Sequence, residues 1–398
     1  MARPGVAIAL AVGLTLTAVG SAAASSERQP RIVGGDETTI AQWPWQVALA
    51  VNDEIEDGDG YDRQFCGGSL VAPTIVITAA HCVSGPGGFD DAGNFEVFTG
   101  RTTLSSNQGQ AIDVAEVYYF VNAGGTPEAE AQSGPNEGPA LDWDVAFLEL
   151  EAASTSPPIK IAGADEGATW APGRAAFVSG WGDTETQGFP DDLRAAQIEI
   201  IADSVCDSPA VYGPFFFPEI EVCAGFMEGG VDTCGGDSGG PLVVPIAGGG
   251  FRLVGDTIWG FGCAEPENPG VYGRIADDPI RSALEDGIAD EAGGYDVTGS
   301  GAEPDTAAPR TTIDDAPKRK TRKRKARFEF SSSEGAPIFS PAFECKLDDA
   351  RFEPCESPAK VRVRRGKHRF QVRAVDLSGN LDASPAKHAW KRKRKRGT

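Results

Sequence analysis

The chain has 398 residues, 40% hydrophobic and 24% charged, with 50 Gly, 28 Pro and 8 Cys. Those proportions exclude a collagen, a coiled coil, a disordered acidic tail and a polytopic membrane protein, and at roughly 100–200 residues per domain the length predicts two or three domains. The net charge of −22 divides unevenly: residues 317–398 hold 24 Lys and Arg against 9 Asp and Glu, a net of +15, which leaves 12 against 49, or −37, for residues 1–316. Such asymmetry predicts separate modules with separate partners, or modules that attract each other across a linker at low ionic strength.

The chain opens with Arg3, an apolar run VAIALAVGLTLTAVG and a small-residue exit SAAAS, the pattern of a secretory signal peptide over residues 1–24, cut after Ala24. The run is shorter than the roughly 20 residues a membrane span requires. A secreted, extracellular protein is the expectation. Eight cysteines, at 66, 82, 206, 223, 234, 263, 345 and 355, form an even set suited to disulfides outside the cytoplasm, with connectivity open at this level. None has CxxC spacing, so zinc is not expected, and the expectation is of a protein with no metal and no cofactor.

Residues 25–31, SSERQPR, are too short to fold and lead into IVGG. From there to about residue 275, short runs such as WQVALAV, SLVAPTIVITAA, DVAFLEL, AAFVSGWG, PLVVPI and FRLVGDTIWGF alternate with Gly, Pro, Asn and Asp. That alternation predicts an all-β sandwich or barrel. Over 277–290, Ile280, Leu284 and Ile288 stand four apart behind acidic residues, which predicts one closing helix. Residues 292–317, rich in Gly, Asp, Ala, Pro and Thr, read as a linker. Residues 318–398 begin with KRKTRKRK, continue through the alternating runs RFEF, AFECKL, KVRVR and HRFQVRAVD, and end in KRKRKR, a small basic β module.

The chemistry concentrates in Asp232-Thr-Cys-Gly-Gly-Asp-Ser-Gly-Gly-Pro241, where glycines let the backbone fold tightly around Ser238 and aim several N–H groups at one point. A serine hydroxyl needs a base. The first domain has one histidine, His81 in TAAHC, whereas His368 and His388 belong to the basic module. Asp144, in DWDVAFLEL, leads an apolar strand where a carboxylate can be buried and still orient an imidazole, with Asp142 as its competitor.

TAAHC, DVAFL and GDSGGP, in the order His, Asp, Ser, resemble the trypsin/chymotrypsin-like serine proteases over about residues 32–291. The resemblance implies two six-stranded antiparallel β-barrels with a C-terminal helix. It implies Ser238 as nucleophile, His81 as general base and then acid, Asp144 as orienter, and the amides of Gly236 and Ser238 as oxyanion hole. It makes residues 25–31 an activation propeptide: cleavage after Arg31 would free the Ile32 ammonium to pair with Asp237. It places Asp232 at the floor of the primary pocket, with Gly260 and Gly270 as small walls, and so implies protein or peptide substrates cut after Arg or Lys. It pairs Cys66 with Cys82, Cys206 with Cys223, and Cys234 with Cys263, which leaves the neighbours Cys345 and Cys355. A monomer is expected.

Two positions depart from the family pattern. Ile258 stands before Trp259 where serine usually helps hold the aspartate, and RTTLSSNQGQ lacks the acidic residues of the calcium loop of animal trypsins. The alternative to an active protease is therefore a weak or inactive protease-fold binding protein, targeted by its basic module. A lipase reading of GDSGG fails because a strand pattern, PLVVPI, follows it where a helix is required. The stretch around Cys345 and Cys355 resembles small immunoglobulin-like or fibronectin-like β-sandwiches. Its Lys and Arg suit an anionic surface, be it cell wall, lipid or nucleic acid. They also make KRKTRKRK a run of preferred cleavage points, from which self-trimming of the module is expected.

Overall fold

The computed structural model describes residues 32–84, 91–121, 128–131, 143–184, 188–333 and 343–393. The expected signal peptide, the propeptide with Arg31, and Asp142 lie outside the described residues.

A short strand, β1 (Asp36–Glu37), precedes the first barrel, whose strands are β2 (Gln46–Val51), β3 (Gln64–Ala72), β4 (Ile75–Thr78), β5 (Phe95–Thr99), β6 (Gln110–Val121) and β8 (Ala146–Leu150). They pair in the order β5-β2-β3-β4-β8-β6 and close through β6 on β5, while β7 (Glu128–Ala131) extends β6. The second barrel uses β9 (Ala175–Gly180), β10 (Arg194–Ile200), β11 (Glu221–Gly225), β12 (Pro241–Pro245), β13 (Phe251–Trp259) and β14 (Gly270–Gly273). Their order is β10-β11-β14-β13-β12-β9, closed by β9 on β10, with β1 added to β10. Closure removes the unpaired edges that an open sheet would expose.

Val47, Leu49, Leu70, Ile75, Ile77 and Phe147 fill the first barrel, and Phe177, Val178, Leu242, Val254 and Tyr272 the second. The barrels meet through Trp43, whose ring lies 5.3 Å from Phe251 and 6.0 Å from Phe177, and through Ser179 Oγ, which donates to Gln46 Oε1 at 2.6 Å. The closing helix spans Ile280–Glu291 and buries Ile280, Leu284 and Ile288, as their spacing predicts.

The stretch expected to act as a linker runs along the second barrel for part of its length. Gly299 N donates to Ile161 O at 2.7 Å, Ala247 N to Glu303 O at 2.9 Å, and Ala302 N to Glu166 Oε1 at 2.7 Å. Glu166 is fully buried, and it also accepts from Gly163 N and from Nε and Nη2 of Arg252. Burial pushes its carboxyl up, but these bonds outweigh burial and hold it below the ordinary carboxylate range. A Gly-rich segment is fixed here by backbone bonds to Ile161 and Ala247 and by the one N–H, that of Ala302, which it gives to a buried carboxylate.

Among the described residues the C-terminal module has eight strands: β15 (Thr311–Asp315), β16 (Lys320–Thr321), β17 (Lys325–Ser332), β18 (Phe343–Leu347), β19 (Glu353–Cys355), β20 (Ala359–Arg362), β21 (Gly366–Ala374) and β22 (Ala386–Arg392). A three-stranded sheet β15-β17-β20 and a five-stranded sheet β16-β22-β21-β18-β19 enclose Phe328, Phe330, Phe343, Phe370, Val372 and Trp390, with Phe328 stacked on Phe370 at 4.0 Å. The basic run 318–325 is part of this sheet system: β16 lies parallel to β22, and Lys391 N donates to Arg319 O.

Candidate active site

β4 and β8 pair antiparallel with Thr78 opposite Ala146, so the chain leaving β4 and the chain entering β8 emerge at the same barrel rim. The first carries His81 in the turn Ala80–Val83, and the second carries Asp144. Asp144 Oδ1 accepts from the His81 backbone N at 2.8 Å, and Oδ2 lies 2.6 Å from Nδ1. Two bonds from one carboxylate fix both the imidazole and the backbone that bears it, leaving Nε2 turned to no described residue. The Cys66–Cys82 disulfide ties the same turn to β3. Cys66, His81 and Cys82 are also the one grouping of metal-type donors among the described residues, and the disulfide occupies both sulfurs.

Ser238 comes from the other barrel, in the loop between β11 and β12. Asp237 shapes that loop: it is buried, and its carboxylate accepts from Gly182 N at 2.8 Å and Cys234 N at 3.0 Å. Gly236 and Gly239 adopt φ of +93° and +76°, which a side chain resists. A Cβ on Gly239 would also collide with Thr78 Oγ1, so the loop meets the end of β4 backbone to backbone. Gly67 N donates to Ser238 O at 2.7 Å, and Gln64 Nε2 to Gly236 O at 2.8 Å. The N–H groups of Gly236 and Ser238 donate to no described residue. No hydrogen bond joins Ser238 to His81; such bonds are often long before substrate binds and tighten in its presence.

Beside Ser238 opens a cavity of ≈ 140 Å³, lined by Asp232, Ser238, Ile258, Trp259, Gly260 and Gly270 among others. Asp232 is buried, held by Thr233 N at 2.8 Å on Oδ1 and Ala264 N at 3.1 Å on Oδ2. Burial pushes its carboxyl up to about 7, against the pull of those two bonds. A Cβ on Gly270 would come within 2.7 Å of Asp232 Oδ1, so any side chain there covers the acid. The Cys234–Cys263 bridge spans two lining segments, and Cys206–Cys223 and Cys345–Cys355 complete the four disulfides. Trp259 of the cavity wall continues into an aromatic cluster with buried Tyr212 and exposed Phe261 and Phe215.

Sequence reasoning missed Gln64, Gly182, Glu221 and Asp256 around this site. Glu221 is buried under Trp259, whose Nε1 donates to it at 2.9 Å, and burial pushes its carboxyl up. The signal was present: GDTIWG and EIEVCAG set acids inside apolar strands, where a charge is expensive unless something local receives it.

Two closed barrels sharing a cleft, with a histidine–aspartate pair on one and a serine loop on the other, define the class of two-barrel serine hydrolases. The profile of the trypsin family matches residues 32–278, and the chain belongs to that family of serine proteases. It is 40% identical to a trypsin of Saccharopolyspora erythraea over 245 residues, 61% of this chain and 93% of that protein. It is 34% identical to human transmembrane protease serine 5 and to rat transmembrane protease serine 9, covering 65% and 62% of this chain but 52% and 21% of theirs. Among the described residues, no helix is long and apolar enough to cross a membrane.

Proposed function

We propose that the chain is a secreted serine endopeptidase, made as a zymogen, that cuts peptide bonds after Arg or Lys. The observation that carries this reading is the buried Asp232 in an open cavity lined by Ser238, whose loop meets the chain at Ala79, two residues before the histidine bonded to Asp144. A long cationic side chain would enter between Gly260 and Gly270 and meet Asp232, with Arg able to bind through its fork.

With the substrate carbonyl carbon over Ser238, His81 Nε2 takes the hydroxyl proton as Oγ attacks, and the developing oxyanion faces the N–H groups of Gly236 and Ser238. His81 then returns the proton to the leaving amine as the C–N bond breaks, giving an acyl-enzyme. Water repeats the sequence and releases the acid.

Activation has support in the seating of residues 32–34. Ile32 is fully buried, Val33 O accepts from Asp232 N at 3.0 Å, and Ile32 holds φ of +32°, a left-handed value that a β-branched residue resists. Cleavage after Arg31 relieves that constraint and creates an ammonium for Asp237, whose carboxyl burial pushes up to about 6.

The C-terminal module serves as an anchor to an anionic surface. Lys320, Lys391 and Lys367 stand side by side across β16, β22 and β21, and Lys325 and Arg327 stand opposite Arg362 and Lys360 on the other sheet. Like charges in direct cross-strand register destabilise a sheet, so their persistence favours an external counter-charge.

The test is to cleave the full chain after Arg31 and assay chromogenic peptides ending in Arg, Lys, Phe and Ala beside a Ser238→Ala control. Arg and Lys peptides are hydrolysed and the control is inert. Preference for Phe peptides overturns the specificity, and activity in the control overturns the mechanism.

A further inference from the structure

Behind the His81–Asp144 pair lies a second carboxyl group with no part in the steps above. Asp256 stands near the end of β13, is 0% exposed, and neither side-chain oxygen has a hydrogen-bond partner. Its cross-strand neighbours offer no charge and little polarity: Pro241 on β12, which has no N–H, and Gly273 on β14. Gly273 makes the room, because a Cβ there would collide with Asp256 Oδ1 while lying 3.0 Å from Val145 Cγ2. The carboxyl therefore packs beside the residue that follows Asp144. Asp144 is the charged group that acts on it, and Asp144 is in turn bonded to His81. Glu221, on β11, also feels Asp144, but its oxygens are occupied by Trp259 Nε1 and Phe217 N.

An ionised carboxylate is not tolerated in such a place, since burial without a partner and a like charge nearby both oppose it. Burial, first, and Asp144, second, push the group well above the ordinary carboxylate range. The undissociated acid then carries an O–H that needs an acceptor. Asp144 has capacity to spare: each of its oxygens accepts one bond from His81 and has a further lone pair.

We propose that Asp256 is a positioning residue for Asp144: an undissociated carboxylic acid whose O–H turns to the Asp144 carboxylate and steadies it from the β13 side. The proposal rests on reading His81, Asp144 and Ser238 as the catalytic group. A donor on this side draws charge from Asp144 and restrains how strongly Asp144 favours the protonated imidazole. Ile258, two residues along the strand, supplies no donor of its own.

The experiment uses the full chain cleaved after Arg31, with an Arg peptide amide as substrate. Asp256→Val, which fills the space without a donor, is expected to lower kcat about tenfold, the effect of one lost hydrogen bond, and to move the acid limb of the pH profile upward. Asp256→Asn keeps an N–H donor, and is expected to lose less than half as many decades and to leave the limb in place. An unchanged kcat and limb in a folded Asp256→Val protein overturns the proposal, because a residue that merely packs would give that result. Equal damage in both variants overturns it as well. A second arm needs no turnover: in the Ser238→Ala background at neutral pH, the infrared difference against the added Asp256→Asn change should contain the carbonyl band of an undissociated acid, and its absence overturns the proposal. Failure of processed wild type to hydrolyse any peptide would count against the proposed function, while the infrared band would still decide the state of Asp256.

Discussion

Among the described residues two histidine–aspartate pairs stand in two regions of opposite charge, and they differ in what is left to the second ring nitrogen. In the acidic body, His81 Nδ1 lies 2.6 Å from Asp144, and Nε2 has no hydrogen-bond partner among the described residues. In the basic module, His368 Nδ1 lies 2.8 Å from Asp348, but Nε2 is 2.8 Å from the Arg364 carbonyl, and the ring packs against Trp390. The distances are nearly the same. One ring leaves a nitrogen without a described partner at a barrel rim, while the other spends both on tying a strand to a loop. The acids follow the same division: the body buries Asp232, Asp237 and Asp256 around one cleft, and the module spreads its cations over its outer faces.

The sharpest way to break this contrast is to remove each ring. His81→Ala should lower kcat on the order of 10⁶-fold, as the loss of a triad base does. His368→Ala should leave peptide hydrolysis within about twofold and lower Tm by a few degrees, the scale of one or two hydrogen bonds. A large loss of kcat in the second variant would erase the distinction.

The buried acids then give two pH effects. Asp232, pushed up to about 7 in the free enzyme, must be ionised to hold a cation. Benzamidine affinity should therefore weaken as pH falls through about 7, approaching tenfold per pH unit below it. A flat affinity between about pH 5 and 8, measured by calorimetry, would show that Asp232 is not the group being bound. On the module, neutralising Lys320, Lys367 and Lys391 together should lower the slope of log affinity against log salt by about 2 to 3 with duplex DNA as a polyphosphate probe. An unchanged slope would remove those rows from the binding face.

The smallest effect concerns Asp237. Its folded-state pKa of about 6 is raised above the unfolded value, so in the uncut chain its burial opposes folding above about pH 6 and ceases to do so as the group protonates below that. Cleavage after Arg31 supplies a cation. The cut chain should therefore gain a few degrees in Tm over the uncut chain at neutral pH, and the gap should narrow toward pH 5. A gap independent of pH would place the new ammonium elsewhere.

Much of the fold and the first tier of the site were legible because they depend on local rules. Alternation marked the strands, spacing four apart marked the closing helix, and glycines around Ser238 marked a backbone able to fold tightly and aim several N–H groups at one point. The 292–317 stretch was different: its composition describes a flexible chain, and only remote acceptors, the Ile161 carbonyl for Gly299 and the buried Glu166 carboxylate for Ala302, explain why it is held. The same holds for 318–325, where a run of like charge reads as solvated and its pairing with β22 depends on residues some seventy positions later.

By itself, then, the sequence determined the strand grammar, the disulfide-bearing character, the two oppositely charged modules and the residue types able to do acyl transfer. These follow from periodicity, composition and side-chain chemistry, which act over a few residues. Only the tertiary structure decided which of two histidine–aspartate pairs keeps a free nitrogen, how deep Asp232 lies, and that Asp256 stands unpartnered behind Asp144. Those outcomes depend on desolvation and on neighbours brought from remote positions, and neither quantity is a property of any short stretch of chain.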